Sequence, residues 1–332
     1  MYICITHADS PLGKRVLSLL EQTELIDEDD RLLLVTQLPQ SLKFKGKYLQ
    51  ARPLSEEDFN ELDIVVNTSD DFTQQILLHL SPDTYVIDLT SHLTQSDYTT
   101  LVDLSILDTL KIDQIKTILP LSHIITSALT SAIQPILKAT HKASQVIEHI
   151  VVSTYQAISD KGQQAMQALD KERKHDELHL NEAPQFFEQY IYSNVIPNIG
   201  AFLPSLDTTE EMQIITETKQ MLALPRHTDL SITCMLVPIK LGHIISVTIL
   251  IQQEISEKQF EDIKKTLKSS EHILLIEKES SITPKDTIGY NQLILSRLRK
   301  SNRTISFVIT YDNLTFRAHS ALELVRKLMG ES

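Results

Sequence analysis

The sequence predicts an α/β protein of two domains: an N-terminal parallel sheet, then an α+β domain built on a mixed or antiparallel sheet. Three observations carry this. The chain has 332 residues, more than one compact core usually holds. Its first third alternates short apolar runs with amphipathic stretches, at 2–6, 12–21, 31–36, 63–67, 72–80 and 85–89, the rhythm of βαβ units. After Pro120 the rhythm changes to one long helical stretch and several β-rich runs, which suits an antiparallel or mixed sheet with helices on one face.

The long helical stretch covers about 126–148 and leads into β-rich runs at 149–156, 231–238, 243–252 and 305–311. Segment 171–182 is charged without apolar periodicity and reads as an exposed loop or frayed helix end. A helix over 186–195 is expected to cover one face of the second sheet, and a last helix over 320–329 follows Asp312-Asn313. Domain limits are expected at 1–122 with 312–332 for the first domain and 123–311 for the second. Runs such as Val151-Val152, Met235-Leu236-Val237 and Ile249-Leu250-Ile251 are apolar on both faces. They predict cover on both sides of the sheet.

Composition excludes several classes. A net charge of −13 argues against a nucleic-acid partner, which needs Lys and Arg concentrated on one surface. No apolar run reaches membrane-spanning length. Two cysteines and an opening Met1-Tyr-Ile-Cys-Ile-Thr6 that enters an apolar strand without a basic leader point to a reducing, cytoplasmic setting. No metal is expected.

Between the first strand and first helix lies His7-Ala-Asp-Ser-Pro-Leu-Gly13, where a Rossmann-like dinucleotide site places a glycine-rich turn. Only Gly13, the helix-packing position, is glycine. His7 and Ser10 take the other two, and Asp9 puts a carboxylate where pyrophosphate would sit. Gly13 and Ser10 are thus the candidate cofactor-binding residues of a degenerate loop, with Lys14 and Arg15 partly offsetting Asp9.

In the second domain Cys234 precedes His243 by nine residues. The pair reads as a nucleophile with its base, or as a buried thiol on a strand before a turn. A nucleophilic thiol needs a depressed pKa and some exposure, which a cysteine in line with Ile232 and Leu236 lacks.

Several segments resemble the aspartate-semialdehyde dehydrogenase family, and most closely its degenerate usg-type homologues that lack the catalytic cysteine. They are Ser153-Thr-Tyr-Gln-Ala-Ile-Ser159 with Gly162, Asn194-Val-Ile-Pro197, Thr209-Glu-Glu-Met212 with Glu217-Thr218, Thr233-Cys234 with Val237-Pro238 and Gly242-His243, and Tyr311-Asp-Asn313. They follow the family's order along almost the whole chain. The resemblance implies chemistry in which a cysteine thiolate attacks an aldehyde, hydride passes to NADP, and phosphate cleaves the thioester.

Measured against that pattern, His243 matches the general base and Gln156 a further catalytic residue, while Glu211 is a substrate-binding remnant. The family's cysteine belongs in a turn before the long helix, and the corresponding Thr117-Ile-Leu-Pro-Leu-Ser-His-Ile-Ile-Thr126 has none. Ser122 or Thr126 could substitute only with a positioned base. An arginine that grips the substrate carboxylate is replaced by Leu236, a second by Thr94, and the lysine of the Glu-Glu-Met-Lys motif by Gln213; Arg297 persists. The resemblance therefore implies a non-catalytic homodimer joined through 123–311, with no cofactor expected although NADP is the family's. The alternative is an NADP-dependent semialdehyde dehydrogenase with an altered active site.

Overall fold

The computed structural model describes the chain except residues 27–29, 56–60, 70–78, 80, 91–99, 113–114, 140–146, 179–182, 279 and 331–332. Two compact units emerge, Met1–Ser122 with Arg317–Ser332 and His123–Phe316.

The first unit is a five-stranded parallel sheet in the order β2-β1-β5-β6-β7, from β1 (Tyr2–Ile5), β2 (Arg31–Leu34), β5 (Ile64–Asn67), β6 (Tyr85–Asp88) and β7 (Ile118–Pro120). Ile3, Cys4, Ile5, Val65, Val86, Ile87 and Leu119 are buried in it, as the near-continuous apolar runs of a parallel sheet require. Helix α1 (Pro11–Leu20) follows β1; Ser10 caps it by accepting the Gly13 N–H at 2.9 Å, and Pro11 starts it where no N–H is needed. A β-carbon on Gly13 would lie 2.3 Å from the His7 carbonyl oxygen, so only glycine lets the helix approach the turn. The hairpin β3 (Gln40–Phe44) and β4 (Lys47–Ala51) was not visible in the apolar pattern. Its two-residue turn has Lys45 and Gly46 both at positive φ, 45° and 77°, the requirement of a type I′ turn. The helix expected at 72–80 lies outside the described residues except His79, as does Thr94.

The second unit is a six-stranded mixed sheet in the order β11-β12-β13-β10-β8-β9. Its strands are β8 (Ile147–Gln156), β9 (Asp229–Leu236), β10 (His243–Ile251), β11 (Ile273–Ile276), β12 (Leu293–Ser301) and β13 (Thr304–Tyr311). The outer pairs β11–β12 and β8–β9 are parallel and the inner ones antiparallel. Val152, Ile232, Val247 and Phe307 share one face through this register and are all buried. That side is served by α2 (Ile124–Ala139), α4 (Thr209–Met221) and α5 (Glu257–Lys268): α2 packs on α4, α5 and β12, α4 on β9, and α5 on β11.

Four expectations in this unit are corrected. Helix α2 ends at Ala139, and Ile147 and Glu148 already belong to β8. Segment 171–182 is in part helix, since α3 (Gly162–Glu177) buries Ala165, Leu169 and Glu172 on one side. Residues 186–195 are bends and turns rather than a helix, held to α3 where the Glu172 carboxylate accepts the Ile191 and Tyr192 N–H groups at 2.8 and 2.9 Å. The last helix, α6 (Asn313–Leu328), starts seven residues earlier than 320, directly after β13.

The opposite face of the sheet is open in the single chain: Val151 keeps 46% and Tyr155 37% of their accessible surface. Among the described residues no helix is long and apolar enough to cross a membrane.

Gly13→Ala should lose about 1–3 kcal/mol of stability through overpacking, read as a lower urea midpoint. An unchanged midpoint would mean that α1 does not sit this close to its turn.

Candidate functional site

His243 opens β10 directly after Gly242, whose φ is 86° and where a β-carbon would meet the Pro284 side chain at 2.8 Å. The turn therefore needs glycine, and it delivers the imidazole to a fully buried position. There its Nδ1 accepts the Ala157 N–H at 3.0 Å and its Nε2 lies 2.7 Å from Asp160 Oδ2. A backbone N–H can only donate, so Nδ1 holds a lone pair and Nε2 carries the proton that Asp160 accepts. A neutral imidazole has one donor and one acceptor, and both are used.

Asn313, at the start of α6, ties this arrangement together. Its Oδ1 accepts the Gly242 N–H at 2.9 Å, while its amide donates to Ser159 Oγ and to Asp160 Oδ1. Burial pushes the Asp160 carboxyl up, but His243, the Lys161 charge and the Asn313 amide outweigh it and hold the group well below the usual carboxylate range.

Cys234 lies on the buried face of β9, fully enclosed, and its N–H donates to Glu211 Oε1 at 2.9 Å. Burial pushes its thiol far up, and the charges of Glu210 and Glu211 add to this. The buried-strand reading of Cys234 holds, since a nucleophile requires the opposite shift. Cys4 is equally buried in the first sheet.

Glu211 has its carboxylate taken up by the fold: Oε2 accepts the Thr208 N–H at 2.8 Å in a capping box at the head of α4, and Oε1 serves Cys234. The neighbouring Glu210 is the carboxylate that meets other side chains. Its Oε1 accepts Gln156 Nε2 at 2.7 Å, Lys161 Nζ is 3.5 Å from Oε2, and His123 Nε2 is 3.9 Å from Oε1. His123 stands just before α2, where its Nδ1 accepts the Ile125 N–H at 3.3 Å and its own N–H donates to Glu217 at 2.6 Å. Gln213 also donates to Glu217, at 2.8 Å.

Residues 121–124, between β7 and α2, read Leu-Ser-His-Ile, and the imidazole there acts as a helix cap. Ser122 and Thr126 are both buried; the Ser122 hydroxyl lies 3.5 Å from Asp103, and Thr126 Oγ1 has no hydrogen-bond partner. Both hydroxyls are enclosed, and the Thr126 hydroxyl has none of the contact with a base that a threonine nucleophile needs. Leu236 is buried and pairs through its backbone with Ile196. Asp160, Lys161, His123, Glu210 and Asn313 were not singled out as site residues from the sequence. Glu210 and Asn313 stand inside recognised motifs, whereas nothing in the spacing of His123 marks it as a cap.

In the first unit several N–H groups of the turn after β1 are engaged within the protein. Ala8 N–H goes to Val35, Ser10 N–H to His7 and Gly13 N–H to the Ser10 hydroxyl, while Pro11 has none. His7 adopts a left-handed φ of 46° without being glycine. The Asp9 carboxylate, near His7 and bonded to Gln40 at 2.9 Å, points no cation at a phosphate. At the carboxyl ends of β1, β5 and β6, where open α/β sheets bind ligands, buried Thr6, Asn67 and Asp88 bond to one another in a row that ends on half-buried Thr90. These residues fit a pyrophosphate poorly.

The model of the semialdehyde dehydrogenase dimerisation domain matches residues 137–316. The chain belongs to the semialdehyde dehydrogenase family. It is similar over nearly its full length to proteins named aspartate-semialdehyde dehydrogenase. One, from Rickettsia bellii (strain RML369-C), is 27% identical across 94% of this chain and 92% of the relative. Another, from Bacillus subtilis (strain 168), is 28% identical across 90% and 88%. The same fold is seen in aspartate semialdehyde dehydrogenase II from Vibrio cholerae, with a TM-score of 0.88 at 22% identity over 99% of this chain and 98% of that one. It is also seen in a Candida albicans aspartate semialdehyde dehydrogenase crystallised with NADP, with a TM-score of 0.69 at 16% identity, covering 99% and 98%. Within this family fold, the α/β first unit and mixed-sheet second unit are the two domains expected from the sequence patterns.

Two outcomes follow for this family member. Folding lowers the Asp160 pKa, so the stability it contributes is present above the unfolded value of 3.8 and is lost as pH falls below it. Asp160→Ala should therefore cost about 1–3 kcal/mol near neutral pH, and the loss in urea denaturation should shrink under acid conditions. A loss independent of pH would contradict the assignment. In native protein, Cys4 and Cys234 should resist a thiol reagent and react only on denaturation; rapid labelling of either would place it at the surface.

Proposed function

We propose that this member of the family is non-catalytic, a degenerate homologue of the usg type that acts as a homodimeric binding or interaction protein. The observation that carries the reading is His243: the residue matching the general base is fully buried with both ring nitrogens engaged. No cysteine lies in the stretch 117–126 that leads into α2 and Leu236 replaces a substrate-gripping arginine, so nucleophile and anion clamp fail together with the base. Loss of a covalent catalytic residue alone costs roughly 10⁴- to 10⁶-fold in rate. The relatives' name supplies the alternative, an NADP-dependent aspartate-semialdehyde dehydrogenase with relocated chemistry, for which the Gln156–Glu210–Lys161–His123 cluster would have to serve.

Purified protein should show no phosphate-dependent NADP reduction with aspartate semialdehyde above background. Saturable turnover abolished by His243→Ala would refute the proposal and favour the alternative. NADP should bind weakly or not at all, and the folded double variant His7→Gly, Ser10→Gly should bind it better than the parent; low-micromolar binding by the parent in calorimetry would contradict the reading of the turn.

The open sheet face supports the homodimer. Val151, Thr248 and Ser306 lie in one row of the register, and Tyr155, Ile244 and Met235 in another. Small polar and apolar side chains in a flat array suit an isologous contact with a second copy, of about 2,000 Å² or more if obligate. Light scattering should give a dimer at micromolar concentration and a monomer for Val151→Asp. A stable monomeric parent would overturn this part.

A further inference from the structure

A pocket of about 290 Å³ lies in the second unit, where α5 meets the ends of β11 and β12. It shares no residue with the His243 cluster. Phe260, Ile276 and Leu298 give it an apolar lining, and Lys264, Lys278 and Arg297 bring three cations to it.

Two features set these cations apart from ordinary surface lysines and arginines. The first is pairing: Lys264 is bonded to Glu261 at 2.7 Å and lies over the Phe260 ring, which leaves Lys278 and Arg297 as the cations in question. Most arginines of this chain are bound to a carboxylate or a carbonyl, as Arg31, Arg173, Arg303 and Arg326 are to glutamates. Arg297 and Lys278 have no carboxylate partner among the described residues. Among the described residues the one carboxylate lining the pocket, Glu277, is engaged by Lys268 and lies 3.9 Å from Lys264. Hydrogen bonding from Lys268, with the charges of Lys268 and Lys264, holds Glu277 below the usual carboxylate range. Its negative charge is thus already paired, and among the described lining residues Lys278 and Arg297 leave an excess of positive charge in a chain whose net charge is −13.

The second feature is the backbone. β12 shifts register against β13 between Ser296 and Arg299, and inside that bulge Arg297 takes a φ of 54°. A non-glycine residue held in the left-handed region costs of order 1–3 kcal/mol, and bulges beside sites re-aim a side chain. Here the Arg297 carbonyl is fixed by Arg299 Nη1 at 3.0 Å, which keeps the bulge in place.

We propose that this pocket is a binding site for a small anion, a single carboxylate or phosphate group carried on a compact apolar body. Arg297 grips the anion through its planar fork, Lys278 supplies further charge, and Phe260, Ile276 and Leu298 cover the apolar part. The volume stands at the lower end of the range for small-molecule sites, about 300 Å³, so the ligand is the size of a substituted benzoate and not of a dinucleotide. This site is independent of whether the family's chemistry survives.

The test is calorimetric titration of the full chain with benzoate and, separately, with phenyl phosphate, for the parent, Arg297→Gln and Lys278→Gln. The inference predicts saturable binding of at least one probe with one site per chain. Affinity should fall about tenfold or more in Arg297→Gln, and less in Lys278→Gln, because a bidentate contact outweighs a point charge. Benzoate alone would assign a carboxylate ligand, and phenyl phosphate alone a phosphate. Both substituted residues are exposed, and an unchanged melting temperature verifies that each variant is folded. Failure of both probes to saturate by about 10 mM, a dissociation constant at which binding is worth under 4 kcal/mol, would overturn the inference. Equal affinity for parent and Arg297→Gln would overturn it too.

Discussion

The second unit turns on how one imidazole is satisfied. His243 is wholly enclosed, so each ring nitrogen must find a partner inside the protein, and Ala157 and Asp160 are those partners. Both belong to the chain that leaves β8, whereas His243 opens β10, and Asn313 from α6 bonds to the turns on either side. Three elements distant in sequence are thus joined through one hydrogen-bonded knot. Leaving any member buried and unpaired would cost about 1–3 kcal/mol, a large share of a marginal stability. The arrangement that stabilises the unit is the one that withdraws His243 from base chemistry, because the lone pair a base would use already receives the Ala157 N–H.

The same trade recurs around it. Glu211 caps α4 and holds the Cys234 backbone, Glu217 receives the His123 N–H before α2, and His123 caps that helix with its ring. Residues whose types suggest chemistry are spent on helix ends and strand backbones. The sheet they support has one face sealed by helices and the other bearing exposed Val151 and Tyr155. The unit thus commits most of its motif residues to structure and leaves one sheet face open in the single chain.

Much of the fold was legible because period and burial agree: 2–6, 63–67 and 85–89 are continuous apolar runs, and they became the buried central strands. Gly13 was legible because its packing role has one physical solution. The hairpin at 40–51 was not, since only Leu42, Phe44 and Leu49 alternate there and the turn residue Lys45 hides a positive φ that usually announces itself as Asn or Gly. Helix α3 was legible only as one of two alternatives, a helix end at 171–182, because its buried face includes Glu172, a charge that pattern reading counts as solvent-facing. Segment 186–195 was expected as a helix covering the sheet, yet its backbone is tethered by that same glutamate. In the site, His243, Gln156 and Glu211 could be named from their motifs, but their hydrogen-bond partners could not, because Asp160 and His123 reach them only through tertiary contacts.

The most direct measurement is the tautomer of His243, read from long-range ¹H–¹⁵N correlations of the imidazole at neutral pH. The account predicts a fixed Nε2–H form with an unprotonated, hydrogen-bonded Nδ1, retained in the dimer and unaffected by added substrate. A ring protonated at Nδ1, or one exchanging between tautomers on addition of aspartate semialdehyde, would leave a lone pair free at Nε2 and contradict it.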